Sequence, residues 1–195
     1  PALAKRGGLV GQFFALWVDP EDVNRWQTLR SEMRLFKRQV LAHDNFELAR
    51  SASELRAIRK RGKIAAFLSL EGASALDGEM ERFKQLVREG VSLASITWNE
   101  DNLFGTGAKT RSSRGLTSKG RKLLKLMEEL GVAIDVSHAS RATFWDIATH
   151  TKTALWASHS NASALRPHAR NLDDAQLWAI RDSDGIVGLN FHSTF

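Results

Sequence analysis

Three residues able to bind metal stand where apolar runs end. Ile64-Ala-Ala-Phe-Leu-Ser-Leu runs into Glu71-Gly72, Val132-Ala-Ile-Asp-Val-Ser into His138, and Ala154-Leu-Trp-Ala-Ser into His159. Short, nearly continuous apolar runs read as strands buried on both faces. Each of these side chains is therefore expected at the carboxyl end of a strand. A carboxylate and two neutral imidazoles suit zinc and similar divalent ions. The chain has no Cys, which excludes thiolate ligands, a cysteine nucleophile and a disulfide framework. A lone histidine after a strand also serves as a hydrogen-bonded core or surface residue, and Glu-Gly as a solvated turn. The shared position of all three at strand ends is what points to a metal site.

Other polar residues cluster around the same segments. Asp135 lies inside its strand, three residues before His138, where it could orient a ligand from behind or close a local network. Arg170-Asn171 follows the His159 segment, and a guanidinium there suits a substrate carboxylate as well as a surface ion pair. Ser137 and Ser158 each precede a histidine, but neither lies in the Gly-x-Ser-x-Gly elbow of a serine hydrolase. His43 and His150 fall near the ends of helical patterns, where a cation favours the dipole; His168 and His192 carry no distinguishing context.

The elements that must position these groups alternate in type. Strands are expected at Leu9–Val18, Ile64–Leu70, Leu93–Trp98, Val132–Ser137, Ala154–Ser158 and Ile186–Phe191. Between them, Val23, Trp26, Leu29, Met33, Phe36 and Val40 recur at helical spacing, predicting a helix from about Pro20 to Leu41 with Pro20 in its first turn. Further helices are expected at Ala52–Arg61, Glu79–Glu89, Ser118–Leu130, Arg141–His150 and Asp173–Asp182. Thr117 suits an N-cap, and Gly131, Gly90 and Gly185 suit the residues that end helices. Asn99–Leu116, with three glycines and little periodicity, reads as a long functional loop or lid.

Strands alternating with helices predict a parallel α/β fold, either an open doubly wound sheet or part of a (β/α)₈ barrel. No Gly-x-Gly-x-x-Gly or phosphate loop supports the nucleotide-binding version. The chain of 195 residues reads as one partial domain over 1–195, about two strands short of the ~250 residues of a typical barrel. It begins without Met or a signal-like apolar segment and stops just after a strand, so both ends are expected to be cut.

Composition narrows the partners. The net charge of +6 rests on basic runs at Arg56–Lys63 and Lys109–Lys125, which lack interleaved aromatics, so no nucleic acid is expected. No apolar stretch approaches the roughly 18–20 residues of a membrane span. The absence of Cys is compatible with a reducing cytoplasm.

Taken together, the motifs resemble the renal-type (membrane) dipeptidase family of zinc metallopeptidases. The matching residues are Gly7-Gly8-Leu-Val-Gly11-Gln12-Phe13, Glu71-Gly72, Thr97-Trp98-Asn99, Gly115-Leu116-Thr117 with Gly120, Asp135-Val-Ser-His138, Ser158-His159-Ser160, Arg170-Asn171 and Val187-Gly-Leu-Asn190-Phe191. The resemblance implies a TIM-like (β/α)₈ barrel, here about six of eight βα units with the first and last strands missing. It implies two zinc ions bridged by Glu71, with His138 and His159 completing one ion's ligands. Arg170 would bind the carboxylate of a dipeptide, and a homodimer is implied because relatives are commonly dimers. Three departures stand out. The His-x-Asp pair of the first strand and the proton-shuttling Asp of the last strand would lie outside the chain, the latter beyond Phe195. Trp98 occupies a place where some members carry a His that helps stabilise the oxyanion, which leaves Asn99 as the candidate donor. The expected activity is metal-dependent dipeptide hydrolysis, with the fragment alone inactive. Hydrolysis of another amide (an N-acyl amino acid or lactam) and a barrel kept only for binding are the alternatives.

Overall fold

Sequence pattern and backbone coincide to the residue in two elements, the strand Ile64–Leu70 and the helix Arg141–His150. In the computed structural model, which describes residues 2–195, β3 (Ile64–Leu70) has all seven residues buried, and its boundaries are those of the apolar run. The elements before it are α1 (Ala2–Arg6), β1 (Gly11–Leu16), α2 (Arg25–Phe36), β2 (Phe46–Leu48) and α3 (Ala52–Lys60). After it come α4 (Met80–Arg88), β4 (Val91–Ser95), α5 (Ser118–Glu129), β5 (Ala133–Asp135), α6 (Arg141–His150), β6 (Leu155–Ala157), α7 (Asp174–Asp182) and β7 (Ile186–Val187). All seven strands are parallel, in the order β1-β3-β4-β5-β6-β7, with β2 added against β3. The result is half of a TIM-like barrel.

β2 is placed by the hydrogen-bonding sides of β3. β1 pairs along β3 from Ala65 to Leu70 and takes one side completely. β2 pairs with Ile64–Ala66 and β4 with Leu68–Leu70, so the two share the other side, and the register shifts at Leu68/Ser69. Three residues are too few to show a period, which is why the sequence does not announce β2.

Five helices cover one face of the sheet, while Ile58 of α3 packs with Ala65 and Phe67 on the other. Leu29, Met33 and Phe36 of α2, Phe83 and Leu86 of α4, Leu123, Leu124 and Met127 of α5, Phe144 and Ile147 of α6 and Ile180 of α7 join the sheet residues in one apolar core. Side-chain caps start several helices, Thr117 among them as expected. Thr117 accepts from the Gly120 amide, and Asp173 forms a reciprocal capping box with Gln176.

Several boundaries differ from the sequence reading. β1, β5, β6 and β7 are shorter than the expected strands, with β7 ending at Val187 rather than Phe191, and β4 begins at Val91 and ends at Ser95. The helical pattern past Phe36 continues as a wider π-helical turn over Lys37–Leu41. α2 begins at Arg25, not Pro20, because carboxylates divert the preceding chain into turns. Asp19 Oδ1 accepts from the Glu21 amide, and Asp22 takes the Asn24 amide at 2.7 Å and the Thr28 hydroxyl at 2.6 Å. Val23 accordingly lies in solvent at 91% exposure, outside the apolar stripe. After α7, the left-handed residue is Asp184 rather than Gly185. Gly185 is needed for space, since a Cβ there would collide with the Leu155 carbonyl.

The long loop is docked over its first half. Phe104, Gly105, Thr106 and Gly107 are buried, and Gly107 bridges to Ala139. The Thr106 hydroxyl meets Ser140 Oγ at 2.6 Å and Thr143 Oγ1 at 3.1 Å. The exposed stretch lies between Lys109 and Arg114. Among the described residues no helix is long and apolar enough to cross a membrane.

Candidate metal centre

The carboxyl ends of β3, β5 and β6 bring Glu71, His138 and His159 to one point, their ligand atoms within 4.8 Å of one another. His138 Nε2 lies 2.9 Å from Glu71 Oε1 and 2.9 Å from His159 Nε2; His159 Nε2 lies 3.7 Å from the same Glu71 oxygen. Two ring nitrogens aimed at each other and at one carboxylate oxygen form an arrangement that a single cation satisfies better than a proton does. It is the only group of three or more metal-binding side chains among the described residues.

Each donor is held by its own strand end. The Glu71 amide donates to Leu16 and the Gly72 amide to Ser95 Oγ at 2.8 Å. Gly72 takes φ +82°, turning the chain sharply after Glu71. The His138 carbonyl accepts from the Ala108 amide at 2.9 Å and the Thr97 hydroxyl at 3.3 Å, which ties the histidine to the loop.

Asp135 fastens the two histidine segments together. Its Oδ1 accepts from the Ser137 amide, the Ser137 hydroxyl and the Ser158 amide at 3.0, 2.6 and 3.1 Å, and its Oδ2 accepts from the Ser158 hydroxyl. Ser158 Oγ in turn lies 2.7 Å from His159 Nδ1, and the Ser137 hydroxyl receives the His159 amide. Asp135 thus orients His159 through a serine. The Ser-His spacing that fails as a nucleophile elbow is the signal for this relay.

The electrostatics favour ligands over bases. Burial holds His138 down to about 4, only partly countered by Glu71, and burial likewise lowers His159. Both rings are therefore neutral at pH 7, the form that binds a cation. Burial alone would raise Glu71, but the His138 hydrogen bond and the neighbouring charge of Arg170 hold it below its usual range. Burial brings Arg170 to about 10 against the pull of Asp135 and Glu71, still charged at neutral pH.

Arg170 is 2% exposed, and both Nη atoms are buried without an acceptor. Its Nε donates to His138 Nδ1 at 3.0 Å, and its backbone amide donates to His168 Nδ1. Asn99 Oδ1 lies 3.0 Å from the same His138 nitrogen. An aromatic wall closes the other side: Trp98 packs on His138 with ring centroids 5.8 Å apart, and on Trp17 at 5.0 Å. Nothing in the pattern around Trp17 marked it as a neighbour of the site. A cavity of about 200 Å³ lies beneath the donors, bordered by Phe13, Ala15, Ser69, Leu93, Asp135 and Ser158. His150 stays apart, its Nδ1 turned back to the Asp146 carbonyl at the end of α6, whereas His168 and His192 both stack on Phe195, whose ring centroid lies 5.6 Å from the Arg170 guanidinium carbon.

Known proteins share this framework. The chain is 38% identical to the uncharacterized protein in the pqqA 5′ region of Klebsiella pneumoniae, over 91% of this chain and 66% of that one. It superposes on the metallopeptidase dipeptidase AC with a TM-score of 0.89, at 31% identity, over 98% of this chain and 62% of that one. A metallopeptidase from Rhodobacter sphaeroides, liganded with a phosphinate mimic of the dipeptide L-Ala-D-Ala, gives a TM-score of 0.86 at 28% identity, covering 98% and 64%. The chain spans less than two thirds of the length of both solved relatives. With the family model matched over residues 2–195, the chain belongs to the membrane dipeptidase family, peptidase family M19.

Proposed function

We propose that the protein is a zinc-dependent dipeptidase using two metal ions. The observation that carries this reading is the convergence of Glu71, His138 and His159 beside an arginine with two unpaired, buried Nη groups. The donors fit a divalent cation: two neutral imidazoles face one carboxylate oxygen, as borderline ions such as Zn²⁺ favour. Glu71 Oε1 faces both histidines, and the family resemblance implies that the same carboxylate would also help hold a second ion. When bound, such ions supply a water of lowered pKa and polarise the scissile carbonyl.

The chain's own residues do the rest. Arg170 receives the dipeptide carboxylate in a bidentate grip, which selects substrates with a free end close to the reacting bond. Asn99 presents its amide Nδ2 as a donor toward the developing oxyanion while its Oδ1 holds His138. Asp135 and Ser158 hold His159 in one orientation, and Trp98 and Trp17 screen one flank of the site from water.

The test is hydrolysis of dipeptides, L-Ala-D-Ala among them, by the full-length protein, with metal content measured on the same sample. The expected result is about two ions per chain and activity that a chelator abolishes and zinc restores. Hydrolysis indifferent to chelation would overturn the reading, and a preference for N-acyl amino acids or lactams would move it to another amide.

A further inference from the structure

We infer that metal binding and substrate-carboxylate binding are coupled through Nδ1 of His138, which Arg170 and Asn99 cannot both engage. This rests on the metal reading above. Arg170 Nε is a donor 3.0 Å from Nδ1, and Asn99 Oδ1 is an acceptor 3.0 Å from the same atom. A donor needs the bare nitrogen, whereas the acceptor needs Nδ1–H, so the two contacts demand opposite tautomers of one neutral ring.

Glu71 decides between them when no cation is present. Its Oε1, 2.9 Å from Nε2, draws the ring proton to Nε2 and leaves Nδ1 bare for Arg170. A cation taking the Nε2 lone pair forces the proton to Nδ1. The ring stays neutral in both states, so no net proton is taken up or released. Nδ1–H then donates to Asn99, and Arg170 loses its acceptor. Its Nη1 and Nη2 already lack partners, so the whole buried guanidinium is left without a hydrogen bond. Buried unpaired donors are costly, and the best available remedy is an incoming carboxylate.

The arrangement makes Asn99 a positioning residue for the metal ligand and Arg170 a group released by metal loading. By reciprocity, a carboxylate held by Arg170 tightens metal binding by the same factor that the metal tightens carboxylate binding.

The experiment measures zinc affinity of the metal-free, full-length protein by competition with a chromogenic chelator, for wild type, Arg170→Lys and Asn99→Leu. Lysine keeps the charge but puts a methylene where Nε stands, so Coulomb repulsion is retained and the Nδ1 bond is lost. The expected result is zinc binding about tenfold tighter for Arg170→Lys, and about tenfold or more weaker for Asn99→Leu. A purely structural role would weaken both, so a shift in the same direction overturns the inference, as does an unchanged Arg170→Lys affinity. Nitrogen-15 NMR of the His138 ring gives a second reading: Nε2–H without metal and Nδ1–H with zinc are expected, and Nδ1–H in both states overturns it. Failure of the wild type to bind zinc would instead refute the metal reading itself.

Discussion

Gly72 sits against the backbone of Trp98 in a left-handed conformation. A Cβ on Gly72 would stand 3.1 Å from Trp98 Cβ and 3.2 Å from Trp98 N, at a φ of +82°. This contact fixes where the chain turns after Glu71, and so where the carboxylate points. Gly72→Ala is expected to cost about 1–2 kcal/mol from backbone conformation alone, with crowding added. Urea unfolding measures that loss, and zinc affinity should fall with it because Glu71 is displaced. A variant with unchanged zinc affinity would show that the turn does not aim the carboxylate.

Asp135 receives four hydrogen bonds from Ser137 and Ser158. Asp135→Ala strands those donors in a buried pocket, and a loss of about 3 kcal/mol or more is expected in urea unfolding. Asp135→Asn keeps the shape and should cost less stability. It should still weaken zinc binding by about tenfold, because His159 loses its backing carboxylate. Equal zinc affinity in Asp135→Asn and wild type would remove the relay from the account.

Glu71 and His138 should differ in dipeptide turnover by the full-length protein. Glu71→Gln removes the carboxylate proposed to serve both ions, whereas His138→Ala removes a ligand to one. The expected gap in kcat/KM is about tenfold or more, with Glu71→Gln the worse. Equal, mild losses would refute the bridging role.

Far from the site, Glu89 clamps the end of α4 to α2, at 2.6 Å from Arg30 and 2.7 Å from Lys37. Burial raises its pKa, but hydrogen bonds from Arg30, Lys37 and Gln85 pull it down from 4.5 to about 2. A lowered native pKa means that the unfolded chain takes up the proton first as pH falls. The clamp's stabilisation is therefore complete above about 4.5 and lost on acidification toward about 2. Glu89→Gln should cost about 1–3 kcal/mol at neutral pH. Its difference from wild type in urea unfolding should shrink steadily in that acid range; a constant difference would show that Glu89 contributes through packing alone.

Residues whose burial is decided by their own segment were legible in sequence. β3 was readable because seven buried residues in a row leave no alternative period, and the start of α5 because Thr117 caps it by accepting from the Gly120 amide. The strand-end positions of Glu71, His138 and His159 followed from the same runs. What stayed hidden depends on partners that a segment's own apolar pattern does not show. β2 exists only by pairing with β3, and the start of α2 was moved by the local carboxylates of Asp19 and Asp22. In the site, the shared claim of Arg170 and Asn99 on one nitrogen joins residues 32 and 39 positions from His138. No local pattern encodes such a meeting.

The docking of the long loop has an evolutionary consequence. Gly107 cannot take a Cβ without striking Trp98 and Asn99, and Gly115 cannot without striking Asp146. Between these two fixed points, the Ala108 amide is bonded to the carbonyl of His138 itself. Insertions before Ala108 would therefore be felt directly by a residue of the Glu71, His138 and His159 cluster and should be purged. The Lys109 amide is bonded to the Asn99 carbonyl and the Arg114 carbonyl accepts from the Thr106 hydroxyl, whereas the stretch 111–113 lies outside those ties and is mostly exposed. Length and composition can drift there while Glu71, His138 and His159 keep their places, so that window can vary without disturbing the cluster.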